Sequence, residues 1–254
     1  MKDGEMIYGM RAVVEAVQSG KEIDKLLVRK DLQGAGALFA LLKERGIRCL
    51  RVPPEGLNRI TRKNHQGVIA YVSAVTYHRL EDVVPSVFEQ GKDPFLVLLD
   101  GITDVRNFGA IARTCECAGV DAIVIPSKES VTVGADAMKT SAGALNLLPV
   151  CREPSIREAI RFLKNSGVKV VAASGKAVRN YTDIAYDLPV AIVTGAEDRG
   201  IAAENLRLCD EMVKIPLLGT IASLNVSVAT AILAYEVVRQ RKSGDSITQQ
   251  HKQI

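Results

Sequence analysis

From Phe95 onward the chain repeats one pattern. Short unbroken apolar runs alternate with longer segments in which apolar residues recur every third or fourth position. The runs are Phe95–Leu99, Ala122–Ile125, Val168–Ala172, Val190–Thr194 and Met212–Ile215. Runs this uniformly apolar predict parallel strands buried on both faces. The periodic segments predict helices over Ala110–Ala118, Ser155–Asn165, Ala203–Leu208 and Asn225–Arg239. Strands alternating with helices predict an α/β fold, a doubly wound parallel sheet with helices on both faces.

The first 75 residues follow a different rhythm. Helix signals over Gly9–Ser19 and Ala35–Arg45, the second stopped by Gly46, alternate with strand signals at Ile23–Val28, Arg48–Val52 and Val68–Val75. A Pro53-Pro54 break precedes a short helix ending near Ile60. This reads as a separate small α/β domain, 1–75. Residues 76–93, with Pro85 and Gly91, read as a linker, residues 94–242 as the main domain, and the polar stretch 243–254 as a disordered tail. The chain shows no internal repeat.

Composition narrows the classes. With 254 residues and 47% hydrophobic content, the chain has ample material for a packed core. No apolar run reaches the roughly 18–20 residues that span a bilayer, and MKDGEMIYGM lacks the apolar segment of a signal peptide. A cytoplasmic protein without a membrane partner is expected. The five cysteines lack zinc-ligand spacing, and Cys115 and Cys117 diverge on a helix, so reduced buried thiols are expected. His65, His78 and His251 all lie away from the loops that could carry chemistry, so no Ser-His-Asp arrangement and no metal centre is expected. Neither GxGxxG nor GxxxxGK[ST] occurs. The net charge is +4, and the first 75 residues carry all of the basic excess, with 13 Lys and Arg against 8 Asp and Glu. A basic lobe is compatible with phosphate contacts or with an ordinary solvated surface.

Three polar loops each follow an apolar strand, where open α/β sheets bind ligands. The first, DGITDVRNFGAIART, holds Asp100, Asp104, Arg106, Asn107, Gly109 and Arg113. Asn107 stands where a helix N-cap belongs, as a cap or as a site residue. Arg113, inside an otherwise apolar helix, calls for an anionic partner, structural or phosphate. The second, Gly195 to Gly200, flanks Glu197 with glycines, and reads either as an ordinary turn or as a close backbone approach to a ligand. The third, IPLLGTIASLNVSVA, opens a helix with Ser223, Asn225 and Ser227 in apolar surroundings. Burying those groups unpaired costs a few kcal/mol, so the segment reads as a polar ligand site, unless Ser223 is only an N-cap.

These three loops, in this order and spacing, resemble the SpoU (TrmH) family of RNA ribose 2′-O-methyltransferases within the SPOUT superfamily. The matching stretches are Asn107-Phe108-Gly109 with Arg113, Gly195-Ala196-Glu197 through Gly200, and Ile215-Pro216 with Ser223-Leu224-Asn225-Val226-Ser227-Val228-Ala229. YGMRAVVEAV and HQGVIA resemble the ribosomal-protein-like substrate-binding domain found before the catalytic domain in some members. One departure is Asp198-Arg199, where small residues or glycine are common. The resemblance points to members that methylate a guanosine of 23S rRNA.

That resemblance implies a trefoil knot, a rare breach of unknotted topology, and S-adenosyl-L-methionine as cofactor. Thr194, Gly195, Gly200, Ile215, Leu217, Leu224 and Asn225 would hold the cofactor, with Leu217–Ala222 threaded nearby. It implies Asn107, Arg113, Glu197, Ser223 and Asn225 as the catalytic set, an RNA substrate and a homodimer whose sites use both subunits. The basic cluster Arg59, Arg62, Lys63 and His65 is either a solvated turn or an RNA phosphate contact. Competing expectations are a tRNA ribose methyltransferase and a non-catalytic RNA-binding assembly protein. A generic nucleotide-binding protein is weakened by the missing phosphate loops.

Overall fold

The computed structural model describes residues 6–250, with side chains up to 242. Two compact units emerge. In the first, β1 (Met6–Tyr8), α1 (Met10–Gln18), β2 (Ile23–Arg29), α2 (Gly36–Glu44), β3 (Leu50–Val52), α3 (Pro54–Ile60) and β4 (Val68–Val72) follow one another. The sheet order is β1-β4-β2-β3. The uniformly apolar VIAYV of β4 is explained by burial on both faces. Val68, Ala70 and Val72 pack against Val13 and Val17 of α1 and Leu38 and Leu42 of α2. Ile69 and Tyr71 point the other way, onto Leu57 of α3. Strand β1, absent from the sequence expectation, pairs antiparallel with β4.

Thr132–Lys139 also belongs to this unit, although the sequence reading placed it in the main domain. Val133 N donates to Asp24 Oδ2 at 2.8 Å and Val133 O accepts from Ala74 N at 2.7 Å.

The second unit begins earlier than expected. Residues 77–89 are not a linker: β5 (Tyr77–His78) pairs with the main sheet, and α4 (Leu80–Glu89) buries Leu80 and Val84 in its core. Pro85 lies on the exposed side of α4, so the carbonyl it leaves without an N–H partner can turn to water. Next come β6 (Phe95–Asp100), α5 (Val105–Cys117), β7 (Ala122–Pro126), β8 (Val150–Glu153), α7 (Ile156–Asn165), β9 (Lys169–Ala173) and β10 (Arg179–Asn180), while α6 (Ala135–Thr140) falls, all but Thr140, in the segment of the first unit. The chain ends through β11 (Val190–Gly195), α8 (Ala203–Leu206), β12 (Glu211–Lys214) and α9 (Val226–Gln250).

The sheet order is β10-β12-β9-β11-β6-β7-β8-β5, every pair parallel. This confirms the expected doubly wound class. After β6 the chain winds outward through β7 and β8, then returns to the other side of β6 at β9. The winding reverses between β6 and β11, and ligands in such sheets bind at the carboxyl ends of strands there. Helix α9 packs on α5 and on β11 beside that point.

The tail expectation also changes: α9 continues through Gln250, whereas disorder was expected from 243. With no proline after Val226, the helix has no obligatory stop once nucleated. Residues 251–254 lie outside the described ones. Of the cysteines, Cys115 and Cys151 are buried, Cys49 and Cys209 half-buried and Cys117 exposed, so burial holds only in part. Burial pushes the Cys151 and Cys209 thiols up to about 12, which keeps both protonated and unreactive.

Candidate active site

The site forms where the loops after β6 and β11 lie side by side. Register puts Gly195 opposite Asp100. In the first loop, Asp104 is the N-cap of α5 and accepts from Arg106 N at 2.8 Å and Asn107 N at 2.9 Å. Asn107 is therefore not the cap, because the helix starts earlier than its apolar periodicity shows. The amide of Asn107 is left free to reach across: Nδ2 donates to Glu197 Oε1 at 3.2 Å.

Glu197 sits on the second loop, and the same Oε1 accepts from Asn225 Nδ2 and from Val226 N at 3.3 Å. Asn225 Nδ2 also donates to Asn107 Oδ1 at 2.9 Å. Three side chains, from the first turn of α5, the loop after β11 and the start of α9, thus form one hydrogen-bonded cluster. Asn225 Oδ1 accepts from Ser227 N at 2.9 Å, so Asn225 opens α9 and Ser223 precedes the helix without capping it. Ser223 and Asn225 are exposed in the single chain, so the cost of burying them, inferred from the sequence, does not arise there.

Beside the cluster lies a cleft of about 200 Å³. Its walls include Thr194, Gly195, Gly200, Ile215, Leu217, Ser223 and Leu224, with Glu197 at its edge. Asn225 does not line the cleft. Val213, Val226 and Ala229 make part of the wall apolar. Residues 216–224 make no backbone–backbone hydrogen bond among the described residues, so their N–H and C=O groups are available to a ligand.

Gly195 lines the cleft and also serves the packing of its own loop. A Cβ there would stand 2.2 Å from Gly200 C and Ile201 N, so the missing side chain makes room for the loop's own return. Gly109 is similar: its Cβ would lie 2.5 Å from Thr140 Cβ. Both glycines shape the site through packing.

Arg113 stands apart. It is exposed, lies outside the cleft wall and has no partner among the described residues, so of the two anionic partners its position called for, structural or phosphate, the structural one is not found there. The sequence reading missed Ala173, Ser174 and Gly175, which follow β9 and line the cleft, and Lys214 at the end of β12. The signal was present: β9 is as apolar as its neighbours and is followed by Ser-Gly, a fourth strand-end loop.

In the first unit, Arg59, Arg62 and Lys63 are exposed, and the Lys63 ammonium lies 5.6 Å from the Tyr8 ring centroid. His65 differs from them. Its Nδ1 accepts from Gly67 N at 3.0 Å, so Nε2 carries the proton that bonds Asn58 Oδ1 at 3.0 Å. Both ring nitrogens are thus used in shaping the loop. Among the described residues, no His, Cys, Asp and Glu side chains cluster as a metal site, and no helix is long and apolar enough to cross a membrane.

The second unit thus carries a polar cluster at the switch point of a parallel sheet, and the first unit carries the basic excess of the chain. Residues 94–235 match the SpoU rRNA Methylase family, and residues 6–78 match the family described as RNA 2′-O ribose methyltransferase substrate binding. The first match spans over half of the chain, and the protein belongs to the SpoU family of RNA methyltransferases. The Bacillus subtilis protein YacO, which carries a TrmH family tRNA/rRNA methyltransferase name, is 33% identical over 93% of this chain and 96% of its own. A Sinorhizobium meliloti rRNA methyltransferase solved with AdoMet bound aligns with a TM-score of 0.60 at 28% identity, covering 92% of this chain and 86% of that one. The TrmH/SpoU tRNA modifying enzyme of A. aeolicus aligns at TM-score 0.57 and 29% identity over 61% of this chain and 78% of its own.

Proposed function

We propose that the protein transfers a methyl group from S-adenosyl-L-methionine to a ribose 2′-hydroxyl of rRNA, in a guanosine of 23S rRNA. The observation that carries this reading is the convergence of Asn107, Glu197 and Asn225 beside the cleft. The rRNA substrate is favoured over tRNA by coverage. The rRNA methyltransferase aligns across both units, whereas the tRNA modifying enzyme covers 61% of the chain.

The cleft fits the cofactor by its chemistry. Apolar walls from Val213, Leu217 and Ala229 suit a flat base, and the free backbone of 216–224 can meet its polar edge. Bound there, S-adenosyl-L-methionine supplies an electrophilic methyl on a sulfonium. Thr194, Gly195, Gly200, Ile215, Leu217 and Leu224 form the wall around it, with Asn225 and Ser223 at the reacting end. This reading includes the family's trefoil knot, with Leu217–Ala222 threaded beside the cofactor.

Asn107 and Asn225 hold the Glu197 carboxylate, and the three orient the ribose. This is catalysis by positioning and electrostatics. Arg113, whose guanidinium offers donors and no acceptor, contacts an RNA phosphate, and the proton of the 2′-hydroxyl passes to a carboxylate or phosphate. Glu197 Oε2, which has no partner among the described residues, could serve as such an acceptor. Arg59, Arg62 and Lys63 bind substrate phosphates, with His65 fixing their loop.

A second copy of the chain completes the enzyme. Leu218, Ile221, Val228 and Tyr235 around the third loop and α9 are exposed apolar side chains that a homodimer would cover. The cytoplasm is the compartment of this activity. Mapping 2′-O-methylation across rRNA and tRNA in cells lacking the protein tests the reading. Loss of one rRNA guanosine methyl supports it, whereas loss of a tRNA methyl or of none contradicts it.

A further inference from the structure

The turn that presents Glu197 is fastened at several points outside the cluster. Asp100 holds both feet. Its carbonyl accepts from Ala196 N at 3.1 Å, and its Oδ2 accepts from Ala202 N at 2.8 Å and Asn205 Nδ2 at 2.9 Å. The turn closes on itself where Gly200 N donates to Ala196 O at 2.7 Å.

Its tip is held by Arg199. The guanidinium donates to Glu129 Oε2 at 2.8 Å, from the loop after β7. It rests over Gly101, which is buried and adopts φ +74°. A Cβ at Gly101 would come 2.4 Å from Arg199 Nη2 and 3.1 Å from Cζ, so the glycine leaves a seat that the guanidinium fills. Asp100 and Gly101 are adjacent, and one corner of the sheet therefore receives the foot and the tip of the same loop. Glu197 lies between them.

We propose that Arg199, seated on Gly101 and held by Glu129, is a positioning residue that sets the Glu197 carboxylate against Asn107 and Asn225. This rests on the reading that Glu197 belongs to the active site. It gives the Asp198-Arg199 departure a role: a loop that commonly carries small residues is here held by an ion pair. The pair is solvent-exposed, with side chains 53% and 71% accessible. Exposed pairs are individually weak, so its loss should cost about three- to fivefold in rate, far less than loss of a reacting group.

The test compares Arg199→Glu, Glu129→Arg, the double charge swap and Arg199→Lys with wild type, by kcat, KM for RNA and melting temperature. Each charge reversal is expected to lower kcat about three- to fivefold with KM for RNA unchanged. The double swap and Arg199→Lys should recover most of the loss. A raised KM for RNA that the swap does not repair would mean that Arg199 binds phosphate, and would overturn the proposal. Changed melting with wild-type kcat in every variant would also overturn it, since the latch would then be structural only. Glu197→Ala separates the premise from the proposal: wild-type kcat in that variant would remove Glu197 from the site.

Discussion

Asn225 Nδ2 donates to Asn107 Oδ1 at 2.9 Å, joining residues 118 apart in the chain and linking the start of α9 to the first turn of α5. The other end of the same amide, Oδ1, accepts from Ser227 N and caps α9. Asn225 is thus a helix cap and a bridge at once.

Substitutions separate the two roles. Asn225→Ala removes both and should cost about 1 kcal/mol of stability through the lost cap, with methyl transfer reduced about tenfold or more. Asn225→Asp keeps the capping oxygen but places a carboxylate against Glu197. It should recover most of the stability and none of the activity, as read by thermal melting and single-turnover transfer. Full activity in Asn225→Asp would make the amide donor dispensable.

Gly195 and Gly200 should respond differently to alanine. At Gly195 the new methyl meets backbone at 2.2 Å, which cannot swing aside. Gly195→Ala should cost about 1–3 kcal/mol and weaken cofactor binding in calorimetry. At Gly200 nothing lies within 4 Å, and the strain comes only from φ +68°. Gly200→Ala should cost about 1 kcal/mol with binding retained. Equal effects at the two positions would contradict the packing role of Gly195.

Arg113 has no structural duty among the described residues. Arg113→Ala should leave stability within about 0.5 kcal/mol and cofactor affinity intact, while transfer from tritiated cofactor falls about a hundredfold. Near-normal transfer would exclude its role.

The pH response of α9 has a definite sign. Glu236 accepts from Arg239 Nη2 and Nε at 2.6 and 2.8 Å and from Gln240 Nε2 at 2.7 Å. The Arg239 hydrogen bond, assisted by Gln240, lowers its carboxyl below the usual range. Because the folded value is depressed, the contribution is complete above the unfolded carboxylate's pKa of about 4.3. It is lost as pH falls through the lower folded value. Glu236→Gln should be about 1 kcal/mol less stable than wild type at pH 7, and urea midpoints should show that gap closing towards pH 3. A gap constant across this range would refute the linkage.

Much of this was legible in local pattern. Apolar runs located β6, β7, β9 and β11, because parallel strands buried on both faces leave few polar positions; β12 was located too, although it buries only Val213 and exposes Met212. Two kinds of feature escaped. Helix α4 was hidden by Pro85, whose cost is small only because its side of the helix faces water. The grouping of Thr132–Lys139 with the first unit rests on Val133 meeting Asp24, 109 positions away, which no local signal records. At the site, type and position singled out the loops that hold Asn107, Glu197 and Asn225, whereas their joint role was implied only by the family resemblance. The identity of the cap, Asp104 rather than Asn107, required the helix start to be seen. The reason for Gly195 required the path of Gly200 and Ile201.

The most direct test is to incubate the purified protein with methyl-tritiated S-adenosyl-L-methionine and 23S rRNA or tRNA, digest the RNA, and separate the nucleosides. The label should appear in 2′-O-methylguanosine from the rRNA alone. Label on a base, label in tRNA only, or no label on either RNA would contradict the account.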